Sequence, residues 1–256
     1  ASVTNIVLDY VFIGGLHLGP AGAALGTTCA QVISVMISLV MIIRQREKFS
    51  LSRKDFRPNR NVMGQILKIG IPIALQDGFI QVAFMIITII ANQRGLNDAA
   101  AVGIVEKIIS FLFLIPSSML STVSALGAQN IGAGKRQRAN ETLRYAVMIT
   151  VGFGIIVGIF MQFFASPVVA LFTDASDASG AEVVRLGGQY LRGYVWDCMF
   201  AGIHFSFSGY FCACGKSGIS FLHNIIAITL VRLPGGYLTS TLFPDTLFPM
   251  GLATAA

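Results

Sequence analysis

Charge is scarce in this chain: Asp, Glu, Lys and Arg make up 12% of its 256 residues, where soluble domains carry roughly 25%. With 54% of residues hydrophobic and a mean hydropathy of +0.73, too little polar surface remains to solvate a globule, which excludes an ordinary soluble domain. Cysteine is limited to Cys29, Cys198, Cys212 and Cys214. They include a C-x-C but no C-x-x-C pair and no second ligand cluster at zinc-site spacing, so helix packing is their simplest reading. No G-x-x-x-x-G-K-S/T loop, H-E-x-x-H or G-x-S-x-G occurs, which removes the sequence marks of an ATPase, a zinc protease and a serine hydrolase. Neither a filter-like loop nor a ring of charges points to a channel. A signal peptide is lacking too: ASVTNIVLDYVFI opens on Ala1 rather than Met and carries a carboxylate within its apolar run, so the chain reads as a fragment.

What is present is length of apolar run. A membrane helix needs roughly 20 apolar residues, and such segments recur with short polar breaks. They predict an all-α polytopic membrane protein with a partial helix over 1–14, helices over 21–43, 66–91, 99–126, 142–172, 186–214 and 219–242, and a last one starting at Met250. The net charge of +6 sits in clusters between these runs rather than along one amphipathic face, so its expected partner is anionic lipid and not nucleic acid. The break over 44–61 holds Arg44, Arg46, Lys48, Arg53, Lys54, Arg57 and Arg60 against Glu47 and Asp55. Basic and non-basic breaks alternate along the chain, which places 44–61 in the cytoplasm by the positive-inside rule.

Pro20, Gly22 and Ala24 fall on Pro249, Gly251 and Ala253 at a common offset of 229 positions. Both triplets lie where a non-cytoplasmic loop enters a new helix, six helices apart. The offset predicts two six-helix bundles in a twelve-helix parent, with 44–61 as the linker between them. The expected domains are therefore 1–43 as the end of an N-terminal lobe, the linker, and 62–256 as the C-terminal lobe.

Ordered motifs carry a resemblance: NIVLDYVFI followed by GPAGAALGTTCAQ, then GIPIALQ, GAQNIGAGKRQRA and VRLP. The set resembles the multidrug and toxic compound extrusion (MATE) transporters, from about the fifth helix to the start of the twelfth. The resemblance implies two six-helix lobes around a V-shaped alternating-access cavity. It also implies efflux of amphipathic, often cationic compounds in exchange for Na+ or H+, by a monomer in the cell membrane with no cofactor.

Asn5 and Asp9 stand four apart and project from one helix face. An aspartate in an apolar helix costs roughly 3 kcal/mol or more near the bilayer centre unless it faces protein, water or a cation. The family's N-terminal-lobe cation site has an N-x-x-x-D pair that these two residues match, so Na+ or H+ is expected there; the alternative is a carboxylate that only packs the lobe. Asp77 and Asp197 also fall inside helices. The family's C-terminal-lobe acidic positions align near Ile80 and Ala201 instead, about one turn away from each. Asp197, Ala201 and His204 share a face, so that acid and imidazole form a second candidate for proton coupling; alternatively Asp197 pairs with Arg192. Gln76, Gln81, Phe84, Met85 and Lys107 are candidates for the substrate cavity, since flexible and aromatic side chains accept varied apolar ligands. Glu106 beside Lys107 reads either as a buried ion pair or as cavity charge, and the resemblance gives Lys107 a structural or gating role. Pro72, Pro116 and Pro234 are expected bending points, Gly154 and Gly158 a close helix contact, and His223 with Asn224 an interior hydrogen-bonded pair.

Three function classes follow. An ion-coupled exporter leads. A lipid-linked glycan flippase shares the architecture but calls for several intramembrane cations, and here these are chiefly Lys107 and Arg232. An intramembrane enzyme around Asp197, His204 and His223 lacks a motif, because the two histidines lie on different helices.

Overall fold

Helices form wherever the apolar runs demand internal satisfaction of every backbone N–H and C=O, as a bilayer requires. The computed structural model describes residues 2–44, 57–173 and 177–255, and these divide into two compact units, Ala1–Asn59 and Arg60–Ala256. Most of the expected linker, residues 45–56, lies outside the described residues.

The first unit is a helical hairpin of α1 (Ser2–Gly15) and α2 (Gly19–Arg44). Directly after Asp9, α1 widens into a π-helical stretch over Tyr10–Gly15, a geometry found mostly as single turns and often at functional sites. The reversal needs left-handed backbone at His17 (φ 53°) and Gly19 (φ 55°), and glycine makes the second of these cheap. Two glycines four apart on α2 let the helices touch. A Cβ on Gly22 would lie 3.1 Å from the Phe12 carbonyl, and one on Gly26 would collide with Asp9 Oδ1. This is a small-residue contact of the membrane type.

The second unit holds α3 (Arg60–Arg94), α4 (Leu96–Leu112), α5 (Leu114–Gly132), α6 (Arg136–Ala170), α7 (Ala178–Tyr194), α8 (Asp197–Ala213), α9 (Ser217–Leu242) and α10 (Phe248–Thr254). By length and composition α2, α3, α6 and α9 each suffice to cross a membrane, and α4 with α5, bent by 40° at their junction, suffice when taken together. The helix expected over 99–126 is therefore broken, at Phe113, three residues before Pro116. The helix expected over 186–214 starts earlier and breaks at Val195 and Trp196. In α9 a π-helical stretch over Ile228–Arg232 precedes Pro234. That wider turn accommodates the donor the proline lacks.

One core joins α4, α7 and α10 with α3 and α6, through Ile87, Val102, Val105, Val169, Leu191, Leu247 and Met250 among others. The other half is held by glycine contacts. A Cβ on Gly154 would meet Met199 Cα at 2.6 Å, and one on Gly158 would meet the Trp196 ring at 2.8 Å, so the G-x-x-x-G of α6 is a packing face for α8. The outward face of α6 is apolar instead, with Ile156 70% and Phe163 74% exposed, which suits a hydrocarbon solvent.

Arg94 closes the end of α3. Its side chain is 8% exposed and bonds Asp98 through Nε at 3.0 Å. Its Nη1 donates to the carbonyls of Ser240 and Phe243, and its Nη2 to those of Pro244 and Thr246, at 2.6 to 3.3 Å. A guanidinium fork thus satisfies carbonyls at the C-terminus of α9 and in the loop that follows it, and its charge suits the negative end of that helix dipole.

Candidate functional site

In the first unit the i, i+4 spacing of Asn5 and Asp9 does what the sequence implies. Asn5 Nδ2 donates to Asp9 Oδ1 at 3.4 Å and to Thr27 Oγ1 at 3.3 Å. Both residues are half-buried, and Gly26 leaves the space that the Asp9 carboxylate fills. The carboxylate thus has a neutral amide as its hydrogen-bond donor, and no cation is paired with it among the described residues. Thr27, absent from the sequence reading, joins the pair from α2. Its signal was the T-T step one helical turn past Ala23 and Ala24.

In the second unit a cavity of about 540 Å³ opens between α3, α8 and α9. Its wall is aromatic, with Phe84, Phe113, Phe200, Phe205, Phe207 and Phe211, and its polar groups are Asp197, His204, Ser208, Ser220, His223, Asn224 and Arg232. Ile80 and Ala201, the positions where the family resemblance calls for carboxylates, both line it; this chain has apolar residues there.

Asp197 is buried and pairs with Arg232 at 3.6 Å, not with Arg192, which is a correction to the sequence reading. The π-helical stretch ends on Arg232 and delivers it to the cavity wall. Its guanidinium also lies 4.9 Å over the Phe84 ring and donates to Tyr194 Oη at 2.6 Å. This explains the VRLP motif locally: the cation, a carboxylate, a phenol and an aromatic face are all engaged at once.

The two histidines, which the sequence separates onto different helices, are brought together. His204 Nδ1 and His223 Nδ1 lie 3.1 Å apart with the rings stacked, and His204 Nε2 lies 3.3 Å from Asn224 Nδ2. The sequence expectation of an interior pair between His223 and Asn224 is corrected: His223 is exposed, and each of the two residues bonds His204 rather than the other. Only the i, i+1 step in α9 hinted at this, since a partner 19 residues earlier has no periodic signature.

Of the substrate-cavity candidates, Phe84 lines the cavity. Gln76 is buried next to it, accepting from Ser220 Oγ at 2.8 Å, while Ser220 also bonds Ser208. Gln81, Met85 and Lys107 are exposed and stand outside the lining, because α3 turns Ile80 and Phe84 inward and leaves the neighbouring faces out. Asp77 is likewise exposed. Glu106 accepts from Thr88 Oγ1 at 3.2 Å and makes no ion pair with Lys107 among the described residues.

Known proteins match this arrangement. The chain is 28% identical over 235 residues to the probable multidrug resistance protein YpnP of Bacillus subtilis, covering 91% of this chain and 51% of that protein. It is 28% identical over 240 residues to the multidrug export protein MepA of Staphylococcus haemolyticus, covering 93% and 51%. The chain thus spans about half the length of the curated relatives it matches. A crystal structure of MATE in complex with MaL6 superposes with a TM-score of 0.90 at 21% identity, covering 99% of this chain and 56% of that one, which shows the fold. The family model MatE matches residues 72–238, most of α3 through α9, and on that match the chain belongs to the MatE family.

Proposed function

We propose that the chain forms part of a secondary antiporter that exports amphipathic, often cationic compounds in exchange for Na+ or H+. In this reading residues 1–43 end an N-terminal lobe, 44–61 are a cytoplasmic linker between lobes, and 62–256 make up the C-terminal lobe of a twelve-helix monomer in the cell membrane. The relatives' names, a multidrug export protein and a multidrug resistance protein, supply the substrate class.

The observation that carries the exchange is the Asp9 carboxylate. It sits half-buried in an apolar helix, oriented by the neutral Asn5 amide, beside a hydroxyl and directly ahead of a π-helical stretch. A carboxylate so placed takes its counter-charge from a cation or a proton. Occupancy then biases the two lobes between outward and inward states, because the states differ in affinity for the ion. Each charge moving inward under a 100 mV potential supplies roughly 2.3 kcal/mol.

The flippase alternative calls for free cations to hold a pyrophosphate. The guanidinium on the cavity wall, Arg232, is already engaged by Asp197 and Tyr194, which favours the export reading. In proteoliposomes holding the full-length transporter, a fluorescent cationic dye should be expelled when a sodium or proton gradient is imposed, and Asp9→Asn should abolish that coupling. Dye movement driven only by ATP would overturn the antiport reading.

A further inference from the structure

The cavity of the second unit keeps one polar group open. Its charges cancel, because Asp197 and Arg232 pair at 3.6 Å, and Arg232 is held further by Tyr194 Oη and the Phe84 ring. Its hydroxyls are spent in a buried line that runs from Ser208 to Ser220 to Gln76. Asn224 is buried against His204. Of the polar residues described on this wall, His223 alone is exposed. Its Nδ1 faces His204 Nδ1 at 3.1 Å, and its Nε2 makes no hydrogen bond among the described residues.

That nitrogen has no fixed character. With the Asn224 amide turned so that Nδ2 donates to His204 Nε2, neutral His204 carries its hydrogen on Nδ1 and donates it to His223 Nδ1, and His223 keeps its own on Nε2. With the amide turned over, His204 Nε2–H donates to Oδ1, His204 Nδ1 accepts from His223 Nδ1–H, and His223 Nε2 is a bare lone pair. Both rings are neutral either way. One end of the buried amide goes without a partner either way, Oδ1 in the first arrangement and Nδ2 in the second, so the two lie close in energy. They interconvert through cavity water with no change of charge: one proton leaves His223 Nε2, one shifts from His204 Nδ1 to His223 Nδ1, and one arrives at His204 Nε2 as the amide turns. The open end of the chain is therefore a donor or an acceptor, as its partner requires.

We propose that this cavity is a binding site for an uncharged, flat aromatic molecule, held among the phenylalanines of the wall and recognised at its edge by His223 Nε2, acting as donor or as acceptor. A volume of about 540 Å³ falls within the roughly 300–1,000 Å³ of small-molecule sites, which join apolar and aromatic walls to a few polar groups. Phenylalanine rings offer faces and edges for flat aromatics. A cation gains little here. The carboxylate on the wall is already neutralised and a guanidinium lies over the Phe84 ring, so burying a second positive charge goes uncompensated. The molecule's export rests on the antiport reading; its binding does not, since it needs neither a gradient nor Asp9.

The test titrates fluorescent tricyclic probes into nanodiscs holding the full-length transporter, with empty nanodiscs subtracted and no gradient imposed. Carbazole offers an N–H donor, N-methylacridone a carbonyl acceptor, N-methylcarbazole neither, and N-methylacridinium a positive charge. The binding scored is the part lost in Ala201→Trp, which fills the cavity from α8. Carbazole and N-methylacridone should bind within about threefold of each other, and about tenfold or more tighter than N-methylcarbazole and N-methylacridinium, as one hydrogen bond in a dry site gives. His223→Phe keeps the wall aromatic and should bring carbazole and N-methylacridone down to the level of N-methylcarbazole. The site is overturned if Ala201→Trp removes no binding, if only one of carbazole and N-methylacridone binds, if the cation binds as tightly as they do, or if His223→Phe changes nothing. Failure of the antiport reading shows separately, as gradient-driven dye export that survives Asp9→Asn, and leaves these affinities unchanged.

Discussion

Two carboxylates sit in apolar helices and are treated in opposite ways. Asp9 is half-buried and held by a neutral donor, the Asn5 amide, whereas Asp197 is 8% exposed and has Arg232 against it. Burial without a counter-charge is expensive, and burial with one is tolerable, but the second arrangement commits the acid to structure. The difference separates an acid available for exchange from one that holds helices α8 and α9 together. It also explains how a cavity with an aspartate on its wall can present little net charge.

The comparison breaks or sharpens under mutation. Arg232→Ala should have the largest effect, about 3–5 kcal/mol of stability, because it strands a buried carboxylate; thermal unfolding in detergent reads it. The double variant Arg232→Met with Asp197→Leu should recover most of that loss, since well-packed apolar residues replace such pairs at little cost. If it does not recover, the pair is more than a neutralised burial. Gly26→Ala should cost about 1–3 kcal/mol by overpacking and displace Asp9 from its place, so ion-driven export should fall with it. Asp9→Asn should change stability least, by under about 1 kcal/mol as for sites lacking a large destabilising mechanism, while removing coupling in the vesicle assay. A loss of stability as large as that of Arg232→Ala would erase the distinction between the two acids.

The spans were legible because hydrophobicity repeats within one segment, and Asn5 with Asp9 because four residues are one turn. Contacts across elements were not. Arg94 reaches carbonyls some 150 residues away, Asp197 finds Arg232 rather than Arg192, and His204 finds His223 on the next helix. No local period encodes such meetings. The bend expected at Pro116 was legible, and it falls at Phe113, one turn ahead, where the proline clashes with the preceding turn. Exposed Gln81 and Met85 were misplaced because an apolar helix surrounded by lipid and protein has no polar face to mark which side is inner.

The wide turn over Ile228–Arg232 acts like a gear that skips a tooth. Asn224 and Arg232 stand eight residues apart, which in a uniform α-helix advancing about 100° per residue would leave them about 80° out of line. Absorbing one residue in the wide turn makes the interval count as seven, close to two full turns. Both side chains then reach the same wall. Spacing along this helix therefore cannot be read with a single pitch, and deleting one residue between Ile228 and Val231 should preserve the alignment that a point substitution would leave untouched.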